Sequence, residues 1–328
     1  MSNSAILDPQ VVGLDPQVIG LAPGEGTNSA FPLPKGSELD AHTRRTLLQQ
    51  ERAIAAKYTA NSDKMWPYTV LTLGGFAVWL AFFPLTMLDI MPISMAFVLS
   101  CFFAAAGYIT SHEAMHSNIG RPGTSARFWN EATGQVATII LIFPFSMARM
   151  MHLHHHYYTN DPDKDPDYTD AAPNAFQAWI KTWLNRQPGA DGSIHHYKRI
   201  LERIGTPEAA KALKETMLLQ LFAMAVFFTM AWTGYAIEAA LLWWLPRHIG
   251  LSYIRFYLSW APHHPRDGTS RYDNTRVFKS RLGHWMSMGM QYHVVHHLYP
   301  DIPNHMTKYA YAEMKPILEA RGVDCSPL

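Results

Sequence analysis

Four histidines lie within five positions of the stretch 149–167, and they are the clearest chemical signal in the chain. They are His152, His154, His155 and His156. Residues three and four positions apart lie on one face of a helix, so His152, His155 and His156 share a face that His154 does not. Neutral imidazole is a good ligand for iron, zinc, copper and nickel. This face is therefore a candidate metal-binding array.

Two further clusters repeat the arrangement. His112 and His116 stand four positions apart before the central stretch. His293, His296 and His297 follow it and repeat the spacing of positions 152, 155 and 156. A lone histidine is usually an ordinary surface or core residue. Three clusters at helical spacing instead predict side chains that converge on a metal centre.

The segment 160–167 after the central histidines is predicted to be a turn, because Pro162 and Pro166 exclude a regular helix. Its alternating aspartates resemble a calcium loop, but the glycine and glutamate that such a loop requires are absent. We expect these carboxylates to cap helices or to orient ligating imidazoles. They are Asp161, Asp163, Asp165 and Asp167.

Two long apolar stretches without a charged residue, 66–88 and 91–110, precede the first histidine pair. Each approaches the roughly 20 residues that a spanning helix needs. A two-residue break separates them, so they predict a tight transmembrane hairpin. The stretch 217–260 is long enough for a second hairpin, with its turn expected near 238–242. The predicted fold class is an all-α integral membrane protein with two transmembrane helical hairpins, giving four spans.

The hairpins return the chain to one membrane face, where the histidine clusters would form a cap. Basic residues flank this face, while the short outer turn has none, so the positive-inside rule predicts that the cap is cytoplasmic. The polar, basic stretch 40–64 predicts an amphipathic helix. The short apolar stretch 137–145, interrupted by Pro144, predicts a helix lying in the interface rather than a span.

Composition narrows the class of protein. A net charge of +1 argues against a nucleic-acid partner, and 16% charged with 12% aromatic residues suits a membrane protein. The two cysteines, Cys101 and Cys325, provide neither a disulfide framework nor a thiolate metal site. Residues 1–38 carry a short repeat punctuated by proline and glycine and are predicted to be a flexible tail. Residues 39–328 are predicted to form one membrane domain.

The number of imidazoles indicates the kind of metal centre. Eight or nine are too many for one ion, which takes about four to six ligands, but they suit two ions. Without thiolates, this nitrogen-rich set favours a pair of redox-active iron ions. Such a centre beside a bilayer can activate O2 and remove hydrogen from an unactivated C–H bond.

Two other classes of function remain open at this point. The segment 112–116 also matches HExxH, the signature of zinc proteases, with Glu113 as general base. That interpretation leaves six clustered histidines without a role. A histidine-rich metal carrier is a non-enzymatic alternative, although carriers favour irregular runs of histidine over three regularly spaced clusters.

The segments HEAMH, HLHHH and HVVHH resemble the three histidine boxes of the membrane fatty-acid desaturase and hydroxylase superfamily. NDPDKDPD after the second box, PHHP at 262–265 and YHVVHHLYPDIP at the third box are similar to the desaturase-like β-carotene hydroxylases. This likeness implies O2-dependent di-iron hydroxylation of a carotenoid ring at carbon 3, giving zeaxanthin. An acyl-lipid fatty-acid desaturase on the same scaffold is the alternative.

The resemblance also implies the electron donor and the metal ligands. Reduced ferredoxin and its reductase would supply electrons, because no flavin- or haem-binding sequence is visible. No catalytic residue beyond the metal centre is implied. Eight ligands to two iron ions follow from the boxes, with His263 as a ninth candidate: His112, His116, His152, His155, His156, His293, His296, His297 and His263.

Overall fold

A computed structural model describes residues 39–187, 192–266 and 268–328. The predicted tail 1–38 lies outside these residues. No strand occurs among the described residues, so the all-α prediction is confirmed. In chain order the helices are α1 (Ala41–Tyr58), α2 (Trp66–Met87), α3 (Ile93–Met115), α4 (Arg127–Ile139), α5 (Phe145–Tyr158), α6 (Ala175–Leu184), α7 (Ser193–Ile204), α8 (Pro207–Trp232), α9 (Ala236–Ala239), α10 (Leu245–Ile254), α11 (Ala261–His263), α12 (Gly283–Met286), α13 (His293–Leu298) and α14 (Thr307–Ala320).

The helices form two compact units. The first, here called the span unit, comprises residues 61–152 and 205–255. The second, here called the terminal unit, comprises the described residues of 39–60 together with 153–204 and 256–328. Helix α5 begins in the span unit and ends in the terminal unit, so its histidines are divided between them.

The span unit contains three helices, α2, α3 and α8, that are long and apolar enough to cross a membrane. The predicted tight turn between α2 and α3 is present. Asp89 adopts a left-handed conformation with φ of +54°. The backbone N–H groups of Ile90 and Met91 donate to the carbonyl of Leu85 at 2.9 and 3.1 Å, which satisfies the end of α2.

The second predicted hairpin differs from the structure. Its turn lies at 233–235 and not near 238–242, because Gly234 adopts φ of +95° and ends α8 there. After this turn the chain is divided into short helices with π-helical segments at Ala240–Trp244 and Arg255–Trp260. No fourth helix among the described residues meets the length and apolarity of a span. The prediction of four spans is not confirmed, and three candidate spans are found.

The predicted interfacial helix over 137–145 is not formed as one element. Helix α4 ends at Ile139, and Ile142 adopts a left-handed conformation with φ of +51°. Pro144 directly precedes α5, whose Ala148 N–H donates to the Pro144 carbonyl at 2.9 Å. Proline at this position starts the helix that carries the central histidines, because its missing N–H is not needed there.

In the terminal unit, a buried carboxylate joins the two ends of the described chain. Glu51 of α1 is fully buried and accepts a hydrogen bond from the Arg321 guanidinium, just beyond α14. The Tyr299 hydroxyl, directly after α13, donates to Glu51 at 3.1 Å. The Tyr272 hydroxyl donates to the same carboxylate at 3.0 Å. This network fixes the chain that leaves the third histidine box.

Candidate metal centre

Helix α5 carries histidines on one face. Its His152 belongs to a cluster in the span unit, and His155 belongs to a cluster in the terminal unit. His154 lies in neither cluster among the described residues, as its position on the helix predicts. Its ring packs instead against Tyr158, with 4.6 Å between ring centroids. The 3.6-residue period of the helix therefore separates the candidate ligands from the one histidine that faces away.

The span-unit cluster contains His112, His116 and His152. Each offers one ring nitrogen, and these atoms lie within 4.8 Å of one another. The Nε2 atoms of His116 and His152 are 2.8 Å apart. His112 lies in the last turn of α3, and His116 caps the end of that helix. The end of α3 therefore supplies two candidate ligands and α5 supplies the third.

The end of α3 is fixed by polar side chains from neighbouring helices. The Ala114 carbonyl accepts hydrogen bonds from the Asn130 amide at 3.0 Å and from Arg149 at 3.4 Å. Arg149 also pairs with Glu131 at 2.6 Å. These contacts satisfy a carbonyl group at the helix end and hold the histidine-bearing turn against α4 and α5.

The terminal-unit cluster is larger and lies in the interior. Four of its histidines place one ring nitrogen each within 4.8 Å of one another. Two more histidines lie beside these four, and the Nε2 atoms of this second pair are 3.0 Å apart. The four are His155, His263, His293 and His297, and the adjacent pair is His156 and His296.

The hydrogen bonds of His155 and His263 show why a cation fits between them. His155 Nδ1 lies 2.8 Å from the Asp165 carboxylate, and His263 Nδ1 lies 2.9 Å from the Asn274 carbonyl. Both partners are acceptors, so each Nδ1 is the donor and each neutral ring keeps a lone pair on Nε2. These Nε2 atoms are 3.2 Å apart. Two lone pairs this close repel one another unless a proton or a cation lies between them, so His155 and His263 would together hold a metal ion.

His297 gives a second test of metal binding. Its Nδ1 lies 3.4 Å from the Thr159 hydroxyl. Its buried Nε2 has no hydrogen-bond partner among the described residues. An unsatisfied nitrogen in the interior is costly unless something binds it. Since this histidine belongs to the group of four, a metal ligand role accounts for the orientation of the ring.

The environment keeps two of these imidazoles in the form that binds metal. Burial, with the neighbouring His155 and His293, holds the pKa of His263 well below its usual range. Burial, with His156 foremost among its neighbours, does the same to the pKa of His297. For His155, burial opposes the charged form, but the charge and hydrogen bond of Asp165 outweigh it and raise the pKa. Asp165 therefore makes His155 the more basic ligand.

Asp165 fulfils both roles that the sequence predicted for the aspartates. One carboxylate oxygen accepts from the His155 ring and from the Asp167 N–H, which caps the 3₁₀ turn Pro166–Asp170. The other accepts from the Asn160 N–H at 2.7 Å. The Asp161 carboxylate instead accepts hydrogen bonds from the backbone N–H groups of Asp163 and Lys164 and so closes the local turn.

His196 was not identified from the sequence as a site residue. The pair at 195 and 196 lacks a third histidine at ligand spacing, which suggests surface positions. His195 is exposed, but His196 is buried and its Nε2 lies 2.9 Å from the Asp165 carbonyl. The helical period of α7 could have revealed this, because position 196 shares its buried face with Ile200.

Three apolar helices and two buried histidine clusters are the features of a membrane metalloprotein. The family model described as Fatty acid desaturase matches residues 88–328, and the chain belongs to this family. Among its relatives, sn-1 oleoyl-lipid 12-desaturase of Anabaena variabilis is 23% identical over 282 residues, 79% of this chain and 78% of the relative. The Synechocystis protein with the same description is 22% identical over 286 residues, with 79% and 78% covered. Dihydrorhizobitoxine desaturase of Bradyrhizobium elkanii is 24% identical over 216 residues, 59% of each chain.

These similarities confirm the resemblance to the desaturase and hydroxylase superfamily and identify an enzyme of the membrane di-iron desaturase type. They do not single out the carotene hydroxylases, and they favour the acyl-lipid alternative. Family membership also disfavours the zinc-protease interpretation. The carboxylate of Glu113, the general base in that interpretation, is buried and accepts a hydrogen bond from Asn118 at 2.8 Å.

Proposed function

We propose that this chain introduces a double bond into an acyl chain of a membrane lipid, using iron and O2. The observation that carries the proposal is the pair of buried histidine clusters in a chain of the fatty acid desaturase family. Two of its relatives are described as oleoyl-lipid 12-desaturases, which supports an acyl-lipid substrate over a carotenoid. Hydroxylation of a carotenoid ring is the competing activity, and product analysis distinguishes the two.

We assign two iron ions to the two histidine clusters together. Bound iron supplies the O2-dependent oxidation that removes hydrogen from an unactivated C–H bond. The desaturation balances when the acyl chain gives up two hydrogen atoms, an external donor gives two electrons and solvent gives two protons, so that O2 leaves as two molecules of water. The assigned ligands are His112, His116, His152, His155, His156, His263, His293, His296 and His297.

The residues of the chain hold and shield this chemistry. Asp165 and the Asn274 carbonyl fix the rings of His155 and His263, so that their Nε2 atoms face one another. Thr159 contacts the other ring nitrogen of His297. The burial of these side chains excludes bulk water, which protects a reactive oxidant from side reactions.

We further propose the surroundings in which the enzyme works. The catalytic part comprises residues 39–328, its metal-binding face is cytoplasmic, and ferredoxin with its reductase supplies the electrons. Exposed basic side chains such as Lys198 and Arg199 provide a surface on which an acidic donor is attracted electrostatically.

The test is expression in a host that makes both β-carotene and monounsaturated membrane lipids. Lipid and pigment extracts are analysed by mass spectrometry, with the His297→Ala variant as the inactive control. We expect acyl chains with one additional double bond and unchanged β-carotene. Carotenoid products heavier by one oxygen per ring, with unchanged acyl chains, would overturn the acyl-lipid proposal in favour of the carotenoid hydroxylase.

A further inference from the structure

Helix α6 of the terminal unit exposes its large side chains and buries its small ones. Ala178 and Thr182 are fully buried and form the contact face. The opposite face follows the helical spacing i, i+3, i+4, i+7 and i+8 and is apolar throughout. Its members and their exposed fractions are Phe176 (73%), Trp179 (40%), Ile180 (43%), Trp183 (39%) and Leu184 (54%).

The exposure does not arise from a detached segment. The Lys181 ammonium donates to the Ala171 carbonyl at 2.6 Å. At the end of the helix, the Asn185 amide donates to the Thr169 carbonyl at 2.8 Å. These bonds tie α6 to the 3₁₀ turn that Asp165 caps. The helix is therefore held in place with its apolar face outward.

The adjacent helix α7, in the same unit, has the opposite polarity. It buries Tyr197, Ile200 and Leu201. It exposes Lys198 and Glu202, which form an ion pair at 3.6 Å across one helical turn. This is the usual arrangement for a helix that faces water. The exposed face of α7 is therefore charged, whereas the exposed face of α6 is apolar.

We propose that α6 lies in the interfacial layer of a lipid bilayer, with its apolar face among the upper acyl-chain segments. The charges of this segment favour a lipid surface, because residues 175–187 contain two cations, Lys181 and Arg186, and no acidic residue. Basic side chains beside an apolar face attract anionic headgroups. The Arg186 guanidinium lies 5.9 Å from the Trp183 ring centroid. Tryptophan is favoured at this depth, where an apolar ring and a polar N–H are both satisfied.

Because three helices of this chain are candidate membrane spans, a bilayer is a surface close to the rest of the protein. The inference does not depend on which substrate the enzyme oxidises. It assigns a second mode of membrane contact, in which a helix of the terminal unit lies along the surface. An acidic protein or a second copy of the chain is the competing occupant, and the experiment separates them.

The experiment measures the depth of spin labels in the full-length, iron-loaded protein. The protein is reconstituted in vesicles of phosphatidylcholine and phosphatidylglycerol after Cys101→Ser and Cys325→Ser. Single labels are placed at Phe176→Cys and Ile180→Cys on α6, and at Glu202→Cys on α7 as the aqueous control. Collision rates are recorded with O2, which concentrates in the acyl layer, and with a water-soluble nickel chelate.

We expect both α6 labels to collide with the nickel chelate severalfold less often than the label at 202, and with O2 more often. Nickel collision rates equal to those at 202 would place the face in water and overturn the proposal. Protection from both reagents would also overturn it, because it would show that protein covers the face.

A second measurement avoids cysteine substitution. Lipids brominated near the headgroup should quench part of the tryptophan fluorescence of the native protein. The fraction of the fluorescence that these lipids quench should be smaller in the conservative variant Trp183→Phe than in the native protein. If the quenched fraction were the same in both proteins, insertion of this face into the bilayer would be contradicted.

Discussion

At the residue scale, Asp165 is the carboxylate on which the terminal-unit cluster depends. It accepts hydrogen bonds from His155 Nδ1 at 2.8 Å and from the Asn160 N–H at 2.7 Å. Asp165→Asn removes the charge that makes His155 basic, and loss of such a partner typically lowers metal affinity about 10–100-fold. We expect a decrease of that order in iron affinity, measured as iron per chain in chelator-buffered solutions. Asp163→Asn, at an exposed position in the same turn, should bind iron like the native protein.

If both variants lost iron affinity equally, the charge of the turn as a whole and not the bond to His155 would be responsible.

The histidines and aspartates around this turn differ in how far the sequence predicts their roles. Histidine spacing predicts candidate ligands because the helical period is local. Four aspartates at alternate positions do not show which one reaches the ring, since that choice depends on the turn conformation around Asn160, where φ is +66°.

At the element scale, the face of α5 separates the histidines that belong to the two clusters from the one that does not. His155→Ala removes a member of the buried group of four, so the purified variant should contain less iron and have no turnover. His154→Ala removes a ring that packs on Tyr158 and lies outside both clusters, so iron content and turnover should stay near native. Iron analysis and lipid product analysis of the two variants provide the measurement. Equal losses would show that the helical-face assignment is wrong.

Close packing of α4 against the start of α5 gives a prediction of stability. A Cβ added at Gly134 would lie 2.2 Å from the ring of Phe145, which is buried. Gly134→Ala should therefore destabilise the fold by about 1–3 kcal/mol, because the ring must move. Gly74→Ala in α2 meets nothing within 4 Å and should stabilise by about 0.5–1 kcal/mol through helix propensity. Unfolding in detergent compares the two, and a neutral Gly134→Ala would show that the ring relaxes freely.

Elements were predictable where the signal was local. The uncharged runs predict α2 and α3 because apolar length alone defines a span. The second turn lies at Gly234 and not near 238–242, because glycine readily adopts the positive φ that ends α8. The chain after that turn contains Pro246 and Arg247, and π-helical segments divide it. Hydropathy does not reveal such a division.

At the scale of the whole molecule, the terminal unit is built from three separate stretches of chain. No periodicity in the sequence indicates that residue 51 meets residue 321. The buried pair Glu51 and Arg321 joins α1 to the end of α14, and two tyrosine hydroxyls complete the carboxylate shell. These three donors offset part of the cost of burying the charge. Long-range pairing of this kind has to be read from the structure.

The same two helices provide an exposed pair for comparison, since Lys57 and Glu313 lie 2.5 Å apart at the surface. Glu51→Gln strands the buried Arg321 charge, and loss of one partner of a buried pair costs about 3–5 kcal/mol. Glu313→Gln breaks a solvated pair and should change stability far less. The double variant Glu51→Gln with Arg321→Met should recover part of the loss, because it removes the stranded charge. Unfolding midpoints of the three variants test this, and equal losses from Glu51→Gln and Glu313→Gln would show that burial does not set the contribution of the pair.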